Sequence, residues 1–167
     1  MTLSATVKVS VSGRQTGALD LSTQSADLPK VYSQVFSDGA GADQAQRIFA
    51  DTRTLAASAN EDLDLSGSLT DILGAAVVFT KVKAVIIKAS ASNSNNVNLT
   101  RPASNGVPLF LAAGDGIALA PGEVFVWLSG QAAGKTVTAG TGDLINLANS
   151  AAGSSVSYDI IVIGATS

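Results

Sequence analysis

The side chains able to carry chemistry are few and of limited kind. The chain has 167 residues and contains neither histidine nor cysteine. That removes Ser-His-Asp and Cys-His nucleophilic catalysis, thiolate chemistry, disulfides and Cys/His zinc sites. Carboxylate, lysine and tyrosine chemistry remain. The acidic cluster is Glu61, Asp62 and Asp64. Two chemistries use such a grouping: a divalent cation held by carboxylate oxygens, and an acid pair acting on a glycosidic bond. Here Asp62 and Asp64 alternate with Leu63 and Leu65, the pattern of a strand with one face in solvent, and no Asp-x-Asp-x-Asp-Gly loop surrounds them. The expectation is a solvated strand face, with no catalytic residue, no metal ligand and no bound cofactor.

Three glycine motifs invite a phosphate reading and fail its requirements. Residues 130–136 (GQAAGKT) resemble a phosphate-binding loop, but three residues separate the glycines where four are needed. The following residues read as strand and turn, so no helix N-terminus meets the phosphate. Gly39-Ala40-Gly41 and Gly114-Asp115-Gly116 lack a third glycine and a βαβ setting. All three are expected to serve turns. Asn98-Leu99-Thr100 is a glycosylation sequon, without meaning unless the chain is secreted. The first residues show no basic stretch followed by an apolar one, so no secretory signal is expected.

The elements that must position these residues follow from composition and period. Charged residues are 14% of the chain, aromatic residues 5% and apolar residues 46%, with a net charge of -3. A basic patch able to displace the counterions of nucleic acid is missing; Lys81, Lys83 and Lys88 are the densest basic group. The longest apolar run, residues 72–79, is far short of the roughly 20 residues of a spanning helix. Neither nucleic acid, membrane nor a small-molecule substrate is expected as partner.

The dominant period is two. Val7, Val9 and Val11 alternate with polar residues as a half-buried strand, a turn is expected over residues 12–17, and Leu19 and Leu21 begin a second strand. Residues 31–36 read as a short third strand, and residues 42–49 as one helical turn capped by Asp43. Further on, residues 79–89 form the strongest strand. Val82, Ala84 and Ile86 are expected to face the core, with Lys83 on the opposite, exposed face. Counting from residue 77, about eight short strands are bounded by Gly, Pro, Asn or Ser. The fold class is all-β: an antiparallel β-sandwich, jelly-roll-like, with an N-terminal hairpin extension. The division is residues 1–36 as hairpin arm and residues 37–167 as sandwich domain.

Residues 37–45 (SDGAGADQA), 49–65 (FADTRTLAASANEDLDL), 79–85 (FTKVKAV), 137–144 (VTAGTGDL) and 158–164 (YDIIVIG) resemble small structural proteins of tailed-bacteriophage virions. The likeness covers roughly residues 35–165 and consists of strands and turns, so it carries no site residues. It implies a non-enzymatic virion protein, made in the bacterial host cytoplasm and carried on the capsid surface as a decoration or cement protein. Its implied partners are the major capsid protein and copies of itself, as a homotrimer. The alternative is a tail, baseplate or head-fibre subunit with receptor or glycan binding.

Such a protein works through contact area. Val7, Val9 and Val11 form an apolar stripe on a hairpin too small to be stable alone, so a neighbouring subunit is expected to cover it. Three covered valines supply roughly 5 kcal/mol at about 1.5–3 kcal/mol each. Phe125 and Trp127, on one strand face, are either core or a second subunit contact.

Overall fold

A computed structural model describes residues 2–67 and 69–167. The described residues form strands, turns and loops without a helix, so none is long and apolar enough to cross a membrane. The strands are β1 (Ala5–Ala18), β2 (Thr23–Asp38), β3 (Gln44–Ala45), β4 (Arg47–Leu55), β5 (Asn60–Asp64), β6 (Leu69–Thr70) and β7 (Ala76–Val77). They continue as β8 (Lys81–Ala89), β9 (Val97–Thr100), β10 (Gly116–Leu119), β11 (Val124–Leu128), β12 (Lys135–Thr136), β13 (Leu144–Asn149) and β14 (Val156–Ala165).

Two sheets make the body. One has the order β10-β9-β13-β5, the other β11-β8-β14-β4 with β12 added beside β8, and every pairing in both is antiparallel. Alternate residues of both sheets meet in one core, as the period of two demands. Val156, Tyr158, Ile160 and Val162 of β14 point inward beside Val85, Ile87 and Ala89 of β8. Facing them are Leu63 of β5, Val97 and Leu99 of β9, and Ile145 and Leu147 of β13. The architecture is an all-β sandwich. Six of its eight main strands come from beyond residue 77, where about eight were counted, and the other two, β4 and β5, come from earlier in residues 37–167.

Strand β8 reverses the expected facing. Ile163 of β14 pairs with Ala84, but Gly164 pairs with Val82, leaving Lys83 as the extra residue of a β-bulge. A bulge shifts the facing of everything beyond it by one position. Val82 therefore shares the inner face with Val85 and Ile87, whereas Ala84 and Ile86 point to the outside of the sheet. Lys83, expected in solvent, is completely buried. Gly164 is needed opposite the bulge, because a Cβ there would overlap the carbonyl oxygen of Lys81 and the Phe79 ring.

The N-terminal segment is one long hairpin. The ladder of β1 and β2 runs without interruption from Ala5↔Phe36 to Ala18↔Thr23. The turn is at Asp20-Leu21, closed by the Leu19 N–H donating to the Ser22 carbonyl at 2.8 Å. The expected turn over residues 12–17 is instead continuous strand: Gly13 and Gly17 sit in open ladder positions and neither needs a positive φ. Residues 42–49 hold no helical turn. Asp43 takes a left-handed φ of 53°, which breaks a helix, and Gln44–Ala45 pairs parallel to the end of β2.

Candidate interaction site: the hairpin and its anchorage

Directly paired residues in an antiparallel ladder share a face. One hairpin face thus carries Ala5 with Phe36, Val7 with Gln34, Val9 with Tyr32, Val11 with Lys30 and Gly13 with Leu28. Burial falls along this series. Phe36 is fully buried, Ala5 and Val7 are half-buried, and then Val9, Tyr32, Val11 and Leu28 are 40%, 60%, 49% and 60% exposed. These values mark a stripe with no cover among the described residues, since residues 8–33 are all exposed. The opposite face is mixed: Val31 and Val35 lie among Lys8, Ser10, Ser12 and the Arg14–Asp27 ion pair of 2.6 Å.

The buried base of the stripe belongs to a second apolar cluster, outside the sandwich core. Phe36, Ala45, Ala84 and Ile163 form its centre, and Leu3, Ala5, Val7, Ile48, Ile86, Leu128 and Ile161 pack on it. The hairpin root thus covers part of the outer face of the β11-β8-β14-β4 sheet. The bulge makes this possible, because it turns Ala84 and Ile86 toward the root.

Polar contacts fix the root. The Lys83 ammonium donates to the carbonyls of Gly41 at 3.2 Å, Gln131 at 2.5 Å and Ala132 at 2.6 Å. Three carbonyls match the three N–H donors of a lysine. Burial pushes the Lys83 pKa down, with Lys81 adding to the effect and Asp43 opposing it. Around this lysine, the Gln34 amide donates to Asp43 Oδ1 at 2.7 Å and the Asp43 N–H to the Gly130 carbonyl at 2.8 Å. Gly130 leaves room for both side chains, since a Cβ there would overlap Asp43 Oδ1 and crowd Gln34 Oε1. The Leu3 N–H donates to Asp38 Oδ1 at 3.1 Å. The hairpin is therefore tied to the body through β3, the loop around Gly41 and the loop after β11. Sequence reasoning missed Lys83. Its one signal was a lysine set inside the apolar run of residues 82–87.

Phe125 and Trp127 are both half-buried and pack against the sandwich core from the edge strand β11. Phe125 meets Phe110 with ring centroids 5.9 Å apart, and the Lys135 ammonium lies 5.6 Å from the Trp127 ring centre. The outward residues of β11 are Leu128, which packs on the outer cluster, and Val124 and Val126, 51% and 39% exposed. So the aromatics are committed to the core, and the valines between them face solvent.

The acidic cluster divides by face. Glu61 points inward: it accepts from the Tyr158 hydroxyl and from Arg53 at 2.6 Å, linking β5 in one sheet to β14 and β4 in the other. Burial and the neighbouring Glu61 carboxylate raise the Tyr158 pKa above the ordinary phenol value near 10. Asp62 accepts from Asn146, and Asp64 accepts from the Ser66 backbone and hydroxyl. The Ser66 hydroxyl also donates to Asp143. Burial disfavours the Asp143 carboxylate, but hydrogen bonds from Gly140 and Ser66 outweigh it and hold its pKa low. Among the described residues no group of three or more carboxylates comes together as a metal site.

Lys135, the lysine of the phosphate-loop-like sequence, lies in β12 beside β8 and over Trp127, with no helix after it. An open groove of about 600 Å³ runs past Arg101, Leu109, Phe110, Asp115 and Lys135. Its charged side chains are already engaged. Arg101 donates to the carbonyls of Phe110 and Leu111, and Asp115 accepts from the Ala112 N–H. The arrangement brings out apolar contact area on a hairpin held at its root, and no family model, curated protein or solved structure matches the chain.

Proposed function

We propose that this chain is a non-enzymatic structural protein of a tailed-bacteriophage virion, a decoration or cement protein that binds the outer capsid surface and bridges capsomers. The observation that carries the reading is the rooted hairpin with its uncovered stripe of Val9, Val11, Leu28 and Tyr32. The resemblance of residues 35–165 to virion structural proteins supplies the setting. We read the two strand orders, β10-β9-β13-β5 and β11-β8-β14-β4, as the interleaved Greek keys of a jelly roll.

The partners in this reading are the major capsid protein and further copies of the chain, in a homotrimer on the virion surface. Covering four half-exposed apolar side chains contributes on the order of 1 kcal/mol each before ordering costs. That amounts to about a thousandfold in affinity, at tenfold per 1.4 kcal/mol. Ordering costs are small because the hairpin is already formed and rooted.

The test is the amount of this chain relative to the major shell protein in purified particles, and on their isolated tails. Decoration requires high copy number retained on DNA-filled heads. A few copies confined to tails would replace it with a tail, baseplate or fibre role, and absence from particles would remove both.

A further inference from the structure

We infer that the apolar face of one copy's hairpin lies on the outer face of the β11-β8-β14-β4 sheet of a second copy, so that the chain assembles with itself by exchanging hairpins. The inference rests on the reading of the hairpin as an assembly arm, and it needs no capsid.

The receiving surface is the outer face that the bulge creates. Its lower half, Ala84 and Ile163, is covered by the same copy's Leu3, Ala5, Val7 and Phe36. Its upper half is not. Ile86 and Ile161 are half-buried and paired with each other, and Val126 pairs with Ile86 on the other side. Val126 is 39% exposed and the next residue outward on its strand, Val124, is 51% exposed. The root of the hairpin shows what chemistry this face accepts: small and branched apolar residues of β1, with an aromatic ring from β2. Val9 and Tyr32, next outward on the same hairpin face, repeat that pairing. They lie on the side that packs on their own sheet at the root but beyond its reach, where residues 8–33 are all exposed, so a surface outside their own copy must receive them, and the uncovered upper half of a second copy's sheet offers the same chemistry.

Charge favours the same occupant. Residues 1–36 hold three basic and two acidic side chains, and residues 37–167 hold seven and eleven. Arg14 and Asp27 pair with each other, whereas Lys8 and Lys30 enter no ion pair among the described residues. A net cationic hairpin thus meets a net anionic body. Area agrees as well. The exposed ladder beyond Val7 is about 37 Å long at about 3.4 Å per residue, so one face of the ribbon is roughly 350–400 Å². Where two copies exchange hairpins with each other, each gives one such face and receives one, together about 700–800 Å² per copy, which approaches the roughly 800 Å² per partner of a standard interface.

The test uses the purified full chain in the absence of particles. Sedimentation velocity is expected to give an assembly of several copies. Val9→Asp and Tyr32→Asp alter exposed residues, so each is expected to keep the wild-type circular dichroism and melt while weakening association at least about tenfold. Because the chain has no cysteine, contact is also readable by cross-linking. Val9→Cys mixed with Val126→Cys is expected to give mainly the mixed disulfide between copies. A monomeric wild-type chain, association unchanged by both aspartate variants, or cross-links only between like variants would overturn the inference. The outcome separates from the virion reading. A self-assembling chain absent from particles sinks only that reading, and a monomer that loads particles sinks only this inference.

Discussion

The Lys83 ammonium donates to the Gly41 carbonyl at 3.2 Å, so a buried side chain of the sandwich holds the loop from which the hairpin departs. The lysine occupies the bulge that also turns Ala84 and Ile86 outward. One irregularity in one strand therefore both anchors the hairpin and builds the apolar face beneath its root.

Removing that anchor has a clear expected cost. Lys83→Met keeps most of the side-chain length but leaves the carbonyls of Gly41, Gln131 and Ala132 without their donor. The expected loss is on the order of 3 kcal/mol in urea unfolding, since buried polar groups left unpaired are expensive. Limited proteolysis should also cut faster within residues 39–43. A loss under about 0.5 kcal/mol, the usual scale for an exposed lysine, would contradict the burial.

The bulge makes a second expectation about facing. Ile87 is fully buried between the sheets, whereas Ile86 is half-buried on the outer cluster. Ile87→Ala should cost about 2–5 kcal/mol and Ile86→Ala clearly less. The reverse order in chemical denaturation would mean that the strand is registered without the bulge.

The same strand separates what the sequence makes legible from what it hides. The regular alternation of Val156, Tyr158, Ile160 and Val162 gave the inner face of β14 directly, and an all-β sandwich follows from many such segments. The facing of β8 was not legible, because a bulge is set by its partner strand. Nothing local to residues 81–89 says that Gly164 pairs with Val82. The alternation of β1 predicts a hairpin, but Gly13 and Gly17 suggest a turn too early in the chain; pairing over 14 residues outweighs two weak strand formers. Of the candidate contact residues, the valines of β1 alternate as expected and grade from half-buried Val7 to exposed Val11. Phe125 and Trp127 share the face expected, and the structure turns it to the core.

Alkaline pH should probe the link between the sheets. The folded Tyr158 pKa is raised above the ordinary phenol value near 10. Above pH 10 the unfolded chain therefore binds fewer protons than the folded one, and stability falls as pH rises. Below pH 10 the contribution is complete and constant. Tyr158→Phe should cost about 1–2 kcal/mol at neutral pH through the lost bond to Glu61. The gap between wild type and variant should then narrow above pH 10, by up to about 1.4 kcal/mol per pH unit. Parallel pH curves for the two proteins would show that the hydroxyl is not buried.

Chelation is expected to leave the melt unchanged. Glu61 is paired with Arg53 and Tyr158, Asp62 with Asn146, and Asp64 with Ser66. A fall of many degrees with EDTA would mean that a cation displaces these partners in solution.

If the hairpin beyond Val7 supplies the contact with neighbours, its removal alone must abolish that contact. Deleting the whole N-terminal segment would also strip Leu3, Ala5 and Val7 from the outer cluster, so a narrower change is needed. Replacing residues 8–33 by Asn-Gly joins Val7 to its ladder partner Gln34 through a two-residue turn and keeps the root. The decisive measurement is co-sedimentation of this shortened chain with particles lacking the native protein, beside the full chain. The full chain is expected to pellet with the particles, and the shortened chain, folded and melting cooperatively, to stay in the supernatant. A shortened chain that pellets as fully as the intact one would contradict that role of the hairpin.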